Sequence, residues 1–193
     1  MTPLQQAYDF ETPVEMALAL ALGASNIAVY TPSNEGFVTP EWQAANAALV
    51  DYIGSSLEFR KKRPRVELFA RAGNAEGRNY ADSNFQPIGG YSHELGRVLS
   101  VGLKVITDAN ILKHRVYLAE IRGQMATMLR RINGDDLDSP QAAIAGGQLA
   151  QFRIPELAEA GSSYVYSPET GVYQTDLTYN GHLTTQEDTL TNL

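Results

Sequence analysis

The chain has 193 residues, 44% of them hydrophobic, no cysteine and a formal net charge of −7. That length and apolar fraction suffice for one buried core, and the acidic balance disfavours the phosphate backbone of nucleic acid as the main partner. Without cysteine, a disulfide framework, a zinc–thiolate site and a thiol nucleophile are excluded.

Residues 1–10 are polar and lack a basic leader region, and the first apolar run, residues 14–22, is too short to cross a bilayer. The sequence therefore predicts a soluble chain made in the cytoplasm, with no membrane partner. Thr12-Pro13-Val14-Glu15 has the make-up of a helix start, with a capping threonine, a proline at the first helical position and a glutamate to complete a capping box. The stripe Val14, Leu18, Ala21 and Leu22 follows, and Gly23 ends the helix. Residues 27–31 read as a short strand closed by Pro32. A second helix starts at Thr39-Pro40-Glu41, carries Ala45, Leu49 and Ile53 at helical spacing and stops at Gly54.

Arg60-Lys61-Lys62-Arg63-Pro64-Arg65 is the densest basic run. Residues 65–72 alternate Val66, Leu68 and Ala70 against Glu67 and Arg71, the pattern of a strand with one wet face, broken by Phe69. Residues 73–96 are rich in Gly, Asn and Ser without an apolar period and predict a long loop. Residues 97–107 form the best central strand, with Leu99, Val101, Leu103 and Val105 on one face. Asp108 is placed to cap a helix over residues 111–132, whose stripe is Ile111, Leu118, Ile121, Met125, Met128, Leu129 and Ile132.

Residues 133–147 predict a polar, flexible connector and residues 154–161 a short helix. The turn cluster Ser167-Pro168-Glu169-Thr170-Gly171 then leads into a strand. There Tyr173, Thr175, Leu177, Tyr179 and Leu183 alternate with Gln174, Asp176, Thr178, Asn180 and His182. Residues 186–193 predict a loose tail. Together these elements predict a single α+β domain, an antiparallel sheet with helices packed on one face.

Few residues suggest chemistry. His93 and Glu94 are adjacent in the glycine-rich segment, but neighbours on an extended chain point apart. His114 falls in the first turn of a helix, His182 on the polar face of a strand, and no two histidines share metal-ligand spacing on one element. Asp135, Asp136 and Asp138 lack the ordered donors, central glycine and closing glutamate of a calcium loop. Neither a phosphate loop nor a nucleophile elbow occurs. These absences predict a non-enzyme without cofactor or metal, and a small enzyme with a site near His93 stands as the alternative.

Residues 60–65 have two readings: a solvated loop before a strand, or an electrostatic dock for an acidic neighbour. The chain's own acidic segments, residues 135–138 and 156–159, suit the second. Opposite charges on separate parts of one chain favour head-to-tail self-association, which closes into rings. The candidate contact residues are Arg60, Lys61, Lys62, Arg63, Arg65, Tyr91, His93, Asp135, Asp136 and Asp138.

The order of elements resembles the tail-terminator, or tail-completion, proteins of long-tailed bacteriophages. The residues that carry the likeness are the amphipathic helix 12–22, the strand Pro64-Arg65-Val66-Glu67-Leu68-Phe69, and the strand 97–107 leading through Asp108 into a helix bearing His114-Arg115. The closing segment LAEAGSSYVYSPETGVYQTDLTYNGHLTT, residues 157–185, is most like the family, where a short helix precedes a hairpin with an acidic, glycine-containing turn. The second helix and the connector 133–147 depart from that plan, which keeps another neck, head–tail connector or tail-tube component as an alternative. The resemblance implies a non-catalytic virion protein of the tail or neck, assembled in the host cytoplasm. Its partners would be further copies in a ring, usually a hexamer, the tail-tube protein and the head–tail connector or neck proteins, with no sequence-specific nucleic acid. A monomeric binding module is the remaining possibility.

Overall fold

A computed structural model describes residues 11–31, 40–77, 92–108, 110–132, 152–167 and 170–188. In chain order these are helix α1 (Glu11–Ala24), strand β1 (Val29–Tyr30), helix α2 (Pro40–Ala45), a 3-10 turn (Ala47–Leu49), β2 (Ile53–Gly54) and a second 3-10 turn (Phe59–Lys61). There follow β3 (Arg65–Gly77), β4 (Ser92–Asp108), helix α3 (Ile111–Ile132), β5 (Phe152–Ser167) and β6 (Val172–Asp188). The strands form one sheet in the order β2-β1-β3-β4-β6-β5. The α+β class is as the sequence predicts. The sheet is mixed rather than wholly antiparallel, because β1 runs parallel to both β2 and β3.

Strand β4 is the spine. It pairs with β6 in unbroken register from Ser92↔Asp188 to Asp108↔Val172, and with β3 on its other side. Its period-2 pattern decides which face is covered. Leu99, Val101, Leu103 and Val105 are buried with Val66, Leu68 and Ala70 of β3 and Leu177 and Tyr179 of β6. Each such side chain contributes roughly 1.5–3 kcal/mol by leaving water. Helices α1 and α3 supply the opposing layer: α1 packs on β3, and α3 packs on β4, β5, β6 and α1. Ile121, Met125 and Met128 of α3 are buried, as the helical period predicts.

Helix α1 is buried more widely than one stripe, since Ala17, Ala19 and Leu20 are covered along with Val14, Leu18 and Leu22. It runs through Gly23 to Ala24 and ends with Asn26 in the left-handed region at φ 62°. The Ile27 amide returns to the Leu22 carbonyl at 3.1 Å and the Asn26 amide to that of Gly23 at 2.9 Å, the pairing of a Schellman cap. Gly23 serves packing instead of termination: a Cβ there would lie 2.8 Å from the Ile53 side chain. Thr12, expected to cap this helix, lies within it, and Glu15, expected to complete the capping box, has a longer reach. Its carboxylate reaches across to β3 and accepts the Ala70 amide at 2.8 Å.

Other boundaries differ from the sequence expectations for local reasons. The second helix stops at Ala45, and residues 53–54, expected as its last turn, are strand β2 because Ile53 and Gly54 pair with Val29 and Tyr30. Residues 73–77 and 92–96, expected within a loop, extend the β3–β4 hairpin past a register shift between Ala72 and Ala75. Residues 154–161 are strand, not helix, because β6 pairs with Glu156 to Glu159 and again from Gly161, across two register shifts. The tail expected from residue 186 is strand as far as Asp188. Asn110, not Asp108, caps α3, its Oδ1 accepting the Lys113 amide at 3.0 Å. The connector 133–147 lies outside the described residues.

Gly54 has a tight demand for a missing side chain. A Cβ there would lie 2.4 Å from the Phe59 ring. Gly54→Ala is expected to destabilise by about 1–3 kcal/mol through overpacking, read as a lower urea midpoint at unchanged denaturant slope.

Candidate interaction surfaces

The basic run folds back over the outer face of the sheet, at the start of β3. Glu67, expected on a wet face, is buried there together with Arg65 of the basic run, and the two are joined at 2.6 Å. Arg60 reaches the same Glu67 oxygen at 3.4 Å and lies over the Tyr30 ring. Arg65 also donates to the Lys62 carbonyl, and Arg63 donates to the carbonyls of Arg60, Lys61 and Lys62. Two desolvated charges cover each other only at close range with their remaining donors satisfied, and this arrangement supplies both conditions. Arg65 is thus a core residue of the chain's own ion pair. Arg60, Lys61 and Lys62 keep exposed side chains, with Lys61 paired to exposed Glu58 at 2.7 Å.

On the helix-covered face, α3 meets β4 and β6 through a polar seam. His114 is buried, with Nδ1 2.8 Å from Thr107 Oγ1 and Nε2 2.8 Å from Thr175 Oγ1. A neutral imidazole presents one donor and one acceptor, and hydroxyls can answer both. Tyr164 and Tyr173 lie beside the ring at centroid distances of 6.0 and 5.7 Å, and Tyr166 stacks on Tyr173 at 4.4 Å. Burial lowers the His114 pKa, because charging the ring there costs hydration. Further along the seam, Arg122 grips Glu159 of β5 with two bonds of 2.9 and 2.7 Å. Tyr179, buried beside them, is pushed up to about 12, first by burial and then by the Glu159 charge.

Strand β5 is an outer strand of the sheet. Its last seven residues, GSSYVYS, carry no charge and no proline, and Tyr164, Val165 and Tyr166 are half exposed there. Edges meant to stay unpaired are usually guarded by charge, proline or a bulge. Here both register shifts fall earlier, at Arg153/Glu156 and Glu159/Gly161. The other side of the sheet is unlike it. Among the described residues, strand β1 pairs with Val66 and Glu67 of β3 alone, and Glu15 satisfies Ala70 beyond them. On the open outer face, Phe69 and Val98 are exposed around Gly102, which leaves free space above it.

Of the candidates read from sequence, residues 60–65 come together at one corner, where Arg65 is buried and Arg60, Lys61 and Lys62 are exposed. His93 lies on β4 opposite Glu187, and Tyr91 and the acidic trio Asp135, Asp136 and Asp138 lie outside the described residues. Among the described residues no three His, Asp or Glu side chains converge as a metal site, and no helix is long and apolar enough to cross a membrane. Sequence reasoning passed over the Thr107–His114–Thr175 seam, because its residues lie seven and sixty-one positions apart. It also passed over Leu112 and Val116, exposed one turn apart on α3. Their spacing alone was a visible signal, since it lies off the buried stripe. No family model matches the chain, and no curated protein is similar to it in sequence.

Two outcomes follow from these charges. Arg65→Ala, which leaves buried Glu67 with Arg60 at 3.4 Å, is expected to cost up to about 3–5 kcal/mol in urea unfolding, less what Arg60 recovers, while Lys61→Ala on the exposed pair stays within about 1 kcal/mol. The lowered His114 pKa makes stability pH-dependent. It is fully present above about pH 6.5, where neither state holds the proton, and is lost as pH falls from there toward the depressed folded value, because the unfolded chain protonates first. Unfolding midpoints between pH 7.5 and 5 should show this fall, at most about 1.4 kcal/mol per pH unit for one proton, and His114→Gln should flatten it.

Proposed function

We propose that this chain is a structural subunit whose copies close into a ring at the head-proximal end of a phage tail. The ring ends polymerisation of the tail tube and joins the tail to the head. Support for self-assembly comes from one observation above the others: a sheet with two unlike edges. At one side is the uncharged end of β5; at the other, β3 runs on past the two residues that β1 covers. Each edge presents backbone donors and acceptors that a neighbour's strand can take up. Because the edges differ, a contact between them is heterologous, and heterologous contacts generate rings when the rotation per copy closes.

The tail location is carried by the resemblance in element order, from α1 through β3 and β4 into α3 and the terminal hairpin. Residues 154–161 depart from that plan by forming strand in place of a short helix, which lengthens the edge available to a neighbour. In this role the chain needs no catalytic group or cofactor, and its partners are further copies, the tail-tube protein and the connector or neck proteins of the head.

Light scattering on the purified chain, followed by negative-stain imaging of the same fraction, is expected to give closed rings of several subunits, either alone or on addition of tail tubes. Val165→Lys places a charge on the β5 edge at a half-exposed position. It should leave the circular dichroism spectrum unchanged and shift the mass to the monomer. A monomer with and without tubes would overturn the proposal.

A further inference from the structure

Two exposed features are not used by the edges or the core. The first is a knob. Leu57 is 73% exposed on the turn before the second 3-10 helix. Its backbone is firmly set: the Phe59 amide donates to Ser56 Oγ at 3.1 Å, the Arg60 amide donates to the Ser56 carbonyl at 3.1 Å, and the Phe59 ring is packed on Gly54. The corner around it holds five bases, Arg60, Lys61, Lys62, Arg63 and Arg65, and three acids, Asp51, Glu58 and Glu67, so the knob sits in a field of net charge +2.

The second is a groove of about 620 Å³ along the first turns of α3, bounded by Pro64, Thr107 and Asp108. Its wall includes Leu112 and Val116, which are 69% and 70% exposed and one helical turn apart. Asp108 and Glu120 stand at its rim against a single base, Lys113, for a net charge of −1. The volume exceeds what one leucine fills and leaves room for the aliphatic stem of a neighbouring lysine or arginine.

We infer that Leu57 of one copy seats in the α3 groove of a second copy, with Arg60 and Lys61 of the first facing Asp108 and Glu120 of the second. The occupant is another copy because the charges are complementary and both parts belong to every chain. Leu57 is too exposed to be filling its own groove. Knob and groove are different patches, so the contact is heterologous and turns in one direction, as a ring requires. The inference rests on the assembly proposed above and deepens it. One leucine knob buries too little surface to hold two copies together, so it sets the angle between copies whose strands supply the rest.

The cysteine-free chain permits a direct test. Leu57→Cys and Val116→Cys, each in an otherwise unchanged chain with a different tag, are mixed in equal amounts under mild oxidation. A 57–116 disulfide between differently tagged chains should exceed the 57–57 and 116–116 products by about tenfold, since a disulfide demands Cβ atoms about 3.5–4.5 Å apart. Independently of either cysteine, Lys61→Glu and Glu120→Lys should each lower the scattering mass, and the double variant should restore it. An oligomer with no preference for the 57–116 product and no rescue would overturn the inference while leaving the ring intact. A chain monomeric with and without tail tubes would overturn both.

Discussion

The unbroken pairing of β4 with β6 is the constraint on which the other elements depend. Seventeen consecutive residues of β4 are held in one register, so every odd-numbered side chain between Leu99 and Val105 is committed to the same face. A slip by one position would turn that whole set toward water. Once the face is committed, α1 and α3 have one place to bury their apolar sides, and the opposite face is left for the short returning segments and for solvent.

Polar contacts then fix how the layers sit on one another. Apolar packing alone tolerates sliding, whereas a buried hydrogen bond is lost outright when its partners move. Glu15 ties α1 to the Ala70 amide, past the two residues of β3 that β1 pairs with, so one carboxylate both positions the helix and satisfies the backbone. His114 ties the start of α3 to β4 and β6 through two threonines, and Arg122 ties its middle to β5 through Glu159. The basic corner closes the outer face by the same means, with Arg65 and Arg60 converging on one oxygen of Glu67.

The surfaces left over share one property: they are unlike each other. A neutral strand edge stands across the sheet from a partly covered one, and an apolar knob in a basic field answers an apolar groove with an acidic rim. Unlike surfaces on one chain lead to directional assembly, in contrast to the self-matching patch of a two-fold dimer. The seam that anchors β5 to α3 bears on this as well. Tyr164 and Tyr173 pack beside His114, so the strand that offers the edge is held in place by a group whose charge is disfavoured by burial.

Local pattern was enough wherever one periodicity governed one element. The alternation in β4 and β6, the stripe of α3 and the left-handed Gly171 in the final turn were all legible from neighbouring residues. Signals failed where a distant partner decided the outcome. Ile53 reads as a helix position until β1 arrives to pair with it, and residues 154–161 read as helix until β6 supplies a ladder. Glu67 reads as part of a wet face and Arg65 as part of a basic run open to a partner, yet the two are desolvated together. The sequence by itself determined the α+β class, the central strand and which residues of it face the core, because period and turn chemistry act over a few residues. Only the tertiary structure decided the mixed sheet, the buried ion pair, the histidine seam and the exposed knob and groove, because each depends on groups that the chain brings together from far apart.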